Sequence, residues 1–219
     1  MMEPSWADVV QIYRYSDFTL LKTLELTDGR LKDGREVPGS QRAGFGPRIL
    51  PDRSVFFNAY GCAFYRLTNI GGDNPRLDTV FTLETPEAPS PDRIRGACGI
   101  PVIFDHYWLM PAGHLHAVVV LDIANPEAPR EVSRLAIADF NPHWLARDVR
   151  SNRLVLGAEF GGEEGFYLLR FDAGSGRLSF DPAVNGDGKT GYVSLKDQSW
   201  PHGRTGPAWG HAALFLPQQ

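Results

Sequence analysis

The sequence predicts an all-β chain of the β-propeller class. Two observations carry this: short apolar runs separated by turn residues from end to end, and a strand–turn–strand phrase that repeats. The runs "VVQIYRY", "SVFFNAY", "AFYRLT", "AVVVLDI", "RLVLGAEF" and "FYLLRFD" are rich in Val, Ile, Phe and Tyr, with Gly, Pro, Asn and Asp between them. That is the composition of strands and their turns. No stretch sustains apolar residues at i, i+3, i+4 and i+7 over three turns, so long helices are not expected.

The repeat sets the architecture. "VVQIYRYSDFTLLKTLEL" from Val9, "AFYRLTNIGGDNPRLDTVFTLE" from Ala63, "AVVVLDIANPEAPREVSRLAI" from Ala117 and "FYLLRFDAGSGRLSFD" from Phe166 share one grammar. The last three are each preceded by another strand pair, in two cases around a polar "PDRS" or "RSNR" turn, a hairpin signal. Each unit is a four-stranded meander of about 50 residues, the size of a propeller blade. The expected blades span 1–27, 45–85, 98–138 and 141–181, with a last strand at 209–216. The first would supply only its two outer strands. Such a count suggests either an unusual four-bladed ring or, as the favoured reading, about four blades of a larger one, with "MMEPSWADVVQIYRY" entering a blade midway. Exposed blade edges would then invite self-association.

Composition narrows the functional classes. The chain has 219 residues, 42% hydrophobic and 22% charged, with a net charge of -4. This is ordinary for a soluble globular protein and lacks the basic face that nucleic acid requires. No apolar run approaches the ~20 residues of a membrane span, and the start has no basic-then-apolar signal peptide pattern. A cytoplasmic protein acting on a small molecule is the expectation. Two cysteines, Cys62 and Cys98, are too few for a disulfide scaffold. One bridge, two buried thiols, or a thiol near a site all remain open.

Propeller register places chemistry on one face. The entry to a blade's innermost strand and the loop between its second and third strands share that face. His143 in "NPHWL", His114 and His116 in "PAGHLHAVVV", and His202 and His211 in "SWPHGRTGPAWGHAALF" all fall there, with Cys62 and Cys98. His106 in "FDHYW" falls on the other. Histidines from separate blades at one channel mouth suggest a metal, since neutral imidazole suits Zn, Cu, Fe and Ni. His116, His143, His202 and His211 are the candidate ligands, with His114, Cys62 and Glu163 as auxiliaries. The Gly-rich "GAEFGGEEGF" puts Glu159, Glu163 and Glu164 on the same face, where a carboxylate could orient a histidine. The bland reading of each histidine is a strand residue bonded to backbone. Asp122 and Asp172 end strands and are expected to cap turns.

"AVVVLDIANPEAPREVSRL", "NPHWLARD", "YLLRFDAGSGRLSFD" and "WPHG-x-TGPA" together resemble the C-terminal part of bacterial propellers related to selenium-binding proteins, a group that includes methanethiol oxidases. The resemblance implies a seven-bladed ring. It also implies copper-dependent oxidation of a small thiol, with His143, His202 and His211 facing the channel. Two other readings stand beside it. One is a non-enzymatic YVTN-like scaffold for protein partners. The other is a four-histidine non-haem iron oxygenase, like the carotenoid-cleaving dioxygenases.

Overall fold

The computed structural model describes residues 2–4, 8–84, 98–159 and 164–215. The chain divides into two compact units, residues 1–98 with 123–130, and residues 99–122 with 131–219.

The first unit opens with an antiparallel sheet of β1 (Met2–Pro4), β2 (Val9–Tyr13) and β3 (Leu20–Glu25). Three strands thus stand where the sequence reading places two. A short hairpin of β4 (Gly29–Arg30) and β5 (Glu36–Val37) follows. Then comes a four-stranded meander of β6 (Gly44–Ile49), β7 (Val55–Ala59), β8 (Ala63–Thr68) and β9 (Arg76–Thr82). β7 is buried along its whole length, which explains why "VFFNA" is apolar at every position but Asn58 instead of alternating. Val10, Ile12, Leu26, Val55, Phe57, Tyr65 and Leu67 pack into one core. The Tyr65 hydroxyl donates to the Thr27 carbonyl at 2.7 Å, and burial pushes its phenol pKa up. The "PDRS" hairpin forms as expected. Asp52 caps it by accepting from the Ser54 amide (2.9 Å) and hydroxyl (2.6 Å). Arg66 on β8 bridges Asp52 and Glu127, each at 2.8 Å.

Cys62 and Cys98 form a disulfide within this unit, which settles the three options in favour of the bridge. Both residues are fully buried. Cys62 sits in the β7–β8 turn with φ 75°, and the Cys98 amide donates to the Tyr60 carbonyl at 3.0 Å.

The second unit holds two meanders. One is β10 (Val102–Phe104), β11 (Tyr107–Ala112), β12 (Ala117–Asp122) and β13 (Arg130–Ala136). The other is β14 (Pro142–Arg147), β15 (Arg153–Ala158), β16 (Gly165–Asp172) and β17 (Arg177–Phe180). β12 is buried at its five apolar positions, whereas β13 is mostly exposed. β16 alternates buried and half-buried residues, the period-2 signature of a strand with one face in the core. Leu109, Val118, Val120, Phe140, Leu154, Leu156, Tyr167 and Phe171 form its core. Asp172 caps the β16–β17 turn, accepting from the Gly174 amide at 3.0 Å and the Ser175 hydroxyl at 2.5 Å. Asp148 caps the "RSNR" hairpin in the same way.

Small ribbons follow. β18 (Asn185–Gly186) pairs with β19 (Lys189–Thr190), and β20 (Tyr192–Ser194) adds to the start of β16. β21 (Gln198–Ser199) pairs with β22 (Thr205–Gly206). Residues 207–215 form no strand, where the sequence reading expects one from 209. Trp209–Gly210 instead lies across the start of β16, bonded through Gly210 alone to the Ala158 amide and the Gly165 carbonyl. Among the described residues the one helical segment is a 3-10 turn at Gly113–Leu115. No helix among them is long and apolar enough to cross a membrane.

Candidate imidazole site

The structure brings two of the four candidate histidines together, both in the second unit. The rings of His143 and His211 stack with centroids 4.9 Å apart and planes 26° apart. Trp144 flanks the pair, its ring centroid 6.0 Å from that of His211.

Local backbone geometry explains why these rings meet. Along β14, Pro142 faces Ala158 but Trp144 faces Gly157, so His143 is an extra residue at a register shift. Such a bulge re-aims the side chain it carries and is common beside working sites. Two glycines let other backbone segments close on it. A Cβ on Gly99 would lie 2.0 Å from the His143 carbonyl oxygen. Because Gly99 has none, the Ile100 amide donates to that oxygen at 2.7 Å. A Cβ on Gly157 would lie 2.4 Å from the Gly210 oxygen and 2.5 Å from that of His211. Its absence lets the Ala158 amide donate to Gly210 at 3.0 Å, which sets His211 beside His143.

A carboxylate completes the cluster. The Glu159 amide donates to the Asn141 carbonyl at 3.0 Å, and the Asn141 side-chain amide donates back to Glu159 Oε2 at 2.9 Å. Burial holds the His143 pKa below its ordinary value; the negative charge of Glu159 opposes this and the His211 ring adds to it. Burial and the His211 ring thus favour the uncharged form of His143, and the charge of Glu159 works against them.

The other candidates stand elsewhere. His116 ends the 3-10 turn in a left-handed conformation, φ 46°. Its Nδ1 donates to the Phe140 carbonyl at 2.8 Å, the backbone role of the bland reading. His114 lies inside that turn. His202 is exposed at the tip of the β21–β22 hairpin, where its Nδ1 accepts from the Arg204 amide at 3.4 Å. His106 pairs with Asp105 at 2.9 Å. Glu163 lies outside the described residues. Cys62 is joined to Cys98, so its sulfur has no thiolate to offer a metal. Among the described residues no group of three or more His, Cys, Asp or Glu side chains is placed to hold a metal ion. Sequence reasoning placed Glu159 on this face but favoured Glu163, and it passed over Asn141, whose only sequence signal is its place immediately before "PHW".

Comparison with solved structures fixes the class of the fold. A hypothetical selenium-binding protein from Sulfolobus tokodaii matches 86% of this chain at TM-score 0.61 and 13% identity. A 6-phosphogluconolactonase-like protein from Bacteroides fragilis matches 89% at TM-score 0.58 and 13% identity. A Lactobacillus plantarum protein matches 86% at TM-score 0.57 and 14% identity. The fold is a β-propeller. The chain spans about half the length of these structures, 47%, 55% and 51% respectively. No protein-family model and no curated protein matches it.

Proposed function

We propose that this propeller acts on a small electrophile at the His143–Glu159–His211 cluster, with His143 as general base and a lactone as the substrate class. The observation that carries this is the bulged, half-buried His143 stacked on His211, with the Glu159 carboxylate fixed by Asn141 close enough to act on its charge. A base poised in this way suits proton abstraction near neutral pH. His143 takes a proton from water as the water oxygen bonds to the carbonyl carbon. The ring C–O bond then breaks, and the proton passes from the imidazolium to the leaving oxygen. Glu159 stabilises the transient imidazolium. The name of the Bacteroides fragilis neighbour supports the substrate class. The test is hydrolysis of a lactone panel followed in a pH-stat, with His143→Gln and Glu159→Gln beside the parent chain. A fall of ~100-fold or more in kcat is expected for His143→Gln. Hydrolysis equal to the buffer rate in the parent chain, or undiminished in His143→Gln, overturns the reading.

A second reading is favoured by the ring contact of His143 and His211, both picked out by the resemblance to selenium-binding-like propellers. It is a copper-dependent oxidation of a small thiol such as methanethiol. When bound, copper would supply redox chemistry toward oxygen. The residues on hand would contribute the two imidazoles, with His116 and His202 the further candidates from sequence. Copper binding by the purified chain, lost in a His143→Ala/His211→Ala variant, is the expected result. Protein that stays metal-free after reconstitution removes this reading and leaves the first intact.

A further inference from the structure

Exposed apolar side chains gather most densely on the hairpin that joins β2 to β3. Tyr15 is 77% exposed, Phe18 62%, Leu20 48% and Leu21 49%. The rings of Tyr15 and Phe18 lie against one another, with centroids 6.3 Å apart. Ile49, Val132 and Val149 are also exposed, but each stands on a separate element, which is ordinary for a folded surface. A cluster of large apolar side chains at one hairpin tip is not, and marks a contact surface.

The hairpin holds this cluster outward at a cost. Phe18 has φ 55°, in the left-handed region that glycine or asparagine usually occupies and a bulky side chain rarely does. Strain of this kind is concentrated at working positions. The turn is closed by its own bonds. The Phe18 amide donates to the Arg14 carbonyl at 2.9 Å, and the Arg14 amide to the Thr19 carbonyl at 2.8 Å. The Thr19 amide donates to Asp17 Oδ1 at 3.1 Å, and Asp17 pairs with Arg14 at 2.9 Å. These polar groups are satisfied within the turn, while aromatic rings and branched carbon face outward.

Two features decide what such a tip meets. The first tells against a strand. Along β3, Lys22 faces Ile12 but Leu20 faces Tyr13, so Leu21 is an extra residue at a register shift. That bulge interrupts the row of outward backbone groups that a second copy would need to extend the sheet here. The second is charge. Arg14 and Lys22 flank the tip, one on each side, and Asp17 is the one acidic residue between them. The hairpin thus carries an excess of positive charge in a chain of net charge -4. Apolar side chains ahead of basic ones match the layering of a bilayer surface, acyl chain beneath phosphate. Tyr15 has the amphipathic ring favoured at that boundary.

We propose that the β2–β3 hairpin is a membrane-docking tip, seating Tyr15, Phe18, Leu20 and Leu21 in the boundary layer of a phospholipid bilayer with Arg14 and Lys22 at the level of its phosphates. The chain rests on the surface by this tip, and the tip does not span the bilayer. The inference does not depend on any role of the His143 cluster.

Flotation of the full chain with lipid vesicles tests it. One set of vesicles is phosphatidylcholine alone, and the other carries about 30% phosphatidylserine. Half of the parent chain should float with the anionic set at about 0.1 mM accessible lipid, the scale of a single acyl anchor. Phe18→Ser/Leu21→Ser should weaken this at least tenfold. Lys22→Gln should weaken it about fivefold, with the anionic vesicles alone. Ile49→Ser, which removes an equally exposed apolar residue elsewhere, should float like the parent. The substituted side chains lie outside the core, and unchanged thermal midpoints confirm that the variants are folded. The proposal fails if the parent chain does not float with either set at about 1 mM lipid, or if Phe18→Ser/Leu21→Ser floats as the parent does. A parent chain that is dimeric in light scattering, and monomeric in Phe18→Ser/Leu21→Ser, assigns the tip to a second copy and also overturns it.

Discussion

The Cys62–Cys98 bridge gives the most quantitative expectation. The perturbation is Cys62→Ala with Cys98→Ala, which removes the cross-link without placing hydroxyls in a fully buried site. The bridged residues are 36 apart in sequence, and releasing a loop of that length restores denatured-chain entropy of about 4 kcal/mol at 25 °C. Packing lost with the two buried sulfur atoms adds on the order of 1 kcal/mol. The left-handed backbone at Cys62 is equally strained with alanine, so it cancels from the difference. At ~2–4 °C per kcal/mol, the unfolding of residues 55–68 should move down by about 10–20 °C. Thermal unfolding read by pulsed hydrogen exchange, with peptides covering β7 and β8, measures this shift. Alkylation of the unreduced, denatured parent chain should find no free thiol. A midpoint moved by less than about 2 °C would refute the argument from denatured-state restraint. The same bridge bears on location. Disulfides persist in oxidising compartments and are uncommon in the cytosol, so the bond and the cytoplasmic expectation pull in opposite directions.

Three further outcomes follow from single residues. Asp181 is fully buried between Arg153 at 2.8 Å and Arg170 at 2.9 Å; with both arginines partly exposed, Asp181→Asn should cost roughly 2–3 kcal/mol in urea unfolding. Gly157→Ala would set a methyl 2.4 Å from the Gly210 oxygen; it should displace the 207–215 segment and break the ring contact between His143 and His211, seen as loss of inter-imidazole NOEs, with core stability lower by about 1–3 kcal/mol. Asp52 is held at a pKa of about 2, chiefly by the Ser54 hydroxyl and also by Arg66, against an ordinary 3.8. The folded state binds that proton less readily, so the contribution is full above pH 3.8 and disappears as pH falls through about 2. Because Asp52 is 41% exposed, it amounts to under about 1 kcal/mol, and an Asp52→Asn variant should lack this acid dependence.

Strands and blade-like sheets were legible because their cause is local. "VFFNA" and "AVVVL" are apolar enough to be read as interior strands, and "PDRS" and "RSNR" carry their own turn chemistry. Asp172 could be assigned as a turn cap because the residues it bonds are two and three positions away. The site was legible only in outline. His143 and His211 could be placed on one face from the repeat, but the bulge that aims His143 depends on how β14 registers against β15. That register depends in turn on Gly157 and Gly99 being bare where other backbone segments arrive. None of this has a sequence period. The setting of His116 was not legible: a left-handed cap position sends its Nδ1 to the Phe140 carbonyl, 24 residues away in sequence. The strand expected at 209–216 followed from repeat grammar. "GPAWGHAALF" instead bonds β15 and β16 through Gly210, and among the described residues it extends no ladder.

Arg66 holds Glu127 in the first unit, although residues 99–122 of the second lie between that unit's main stretch and Glu127. The polypeptide therefore leaves the first unit, enters the second, returns for eight residues and departs again. No single cut separates the two halves cleanly. A chain ended after Cys98 would leave the guanidinium of Arg66 with one carboxylate instead of two. A chain begun at Gly99 would carry residues 123–130 with nothing to fold against. Independent production of either half would require a joined or permuted gene, and any genetic exchange that shuffled such units would have to move both segments together.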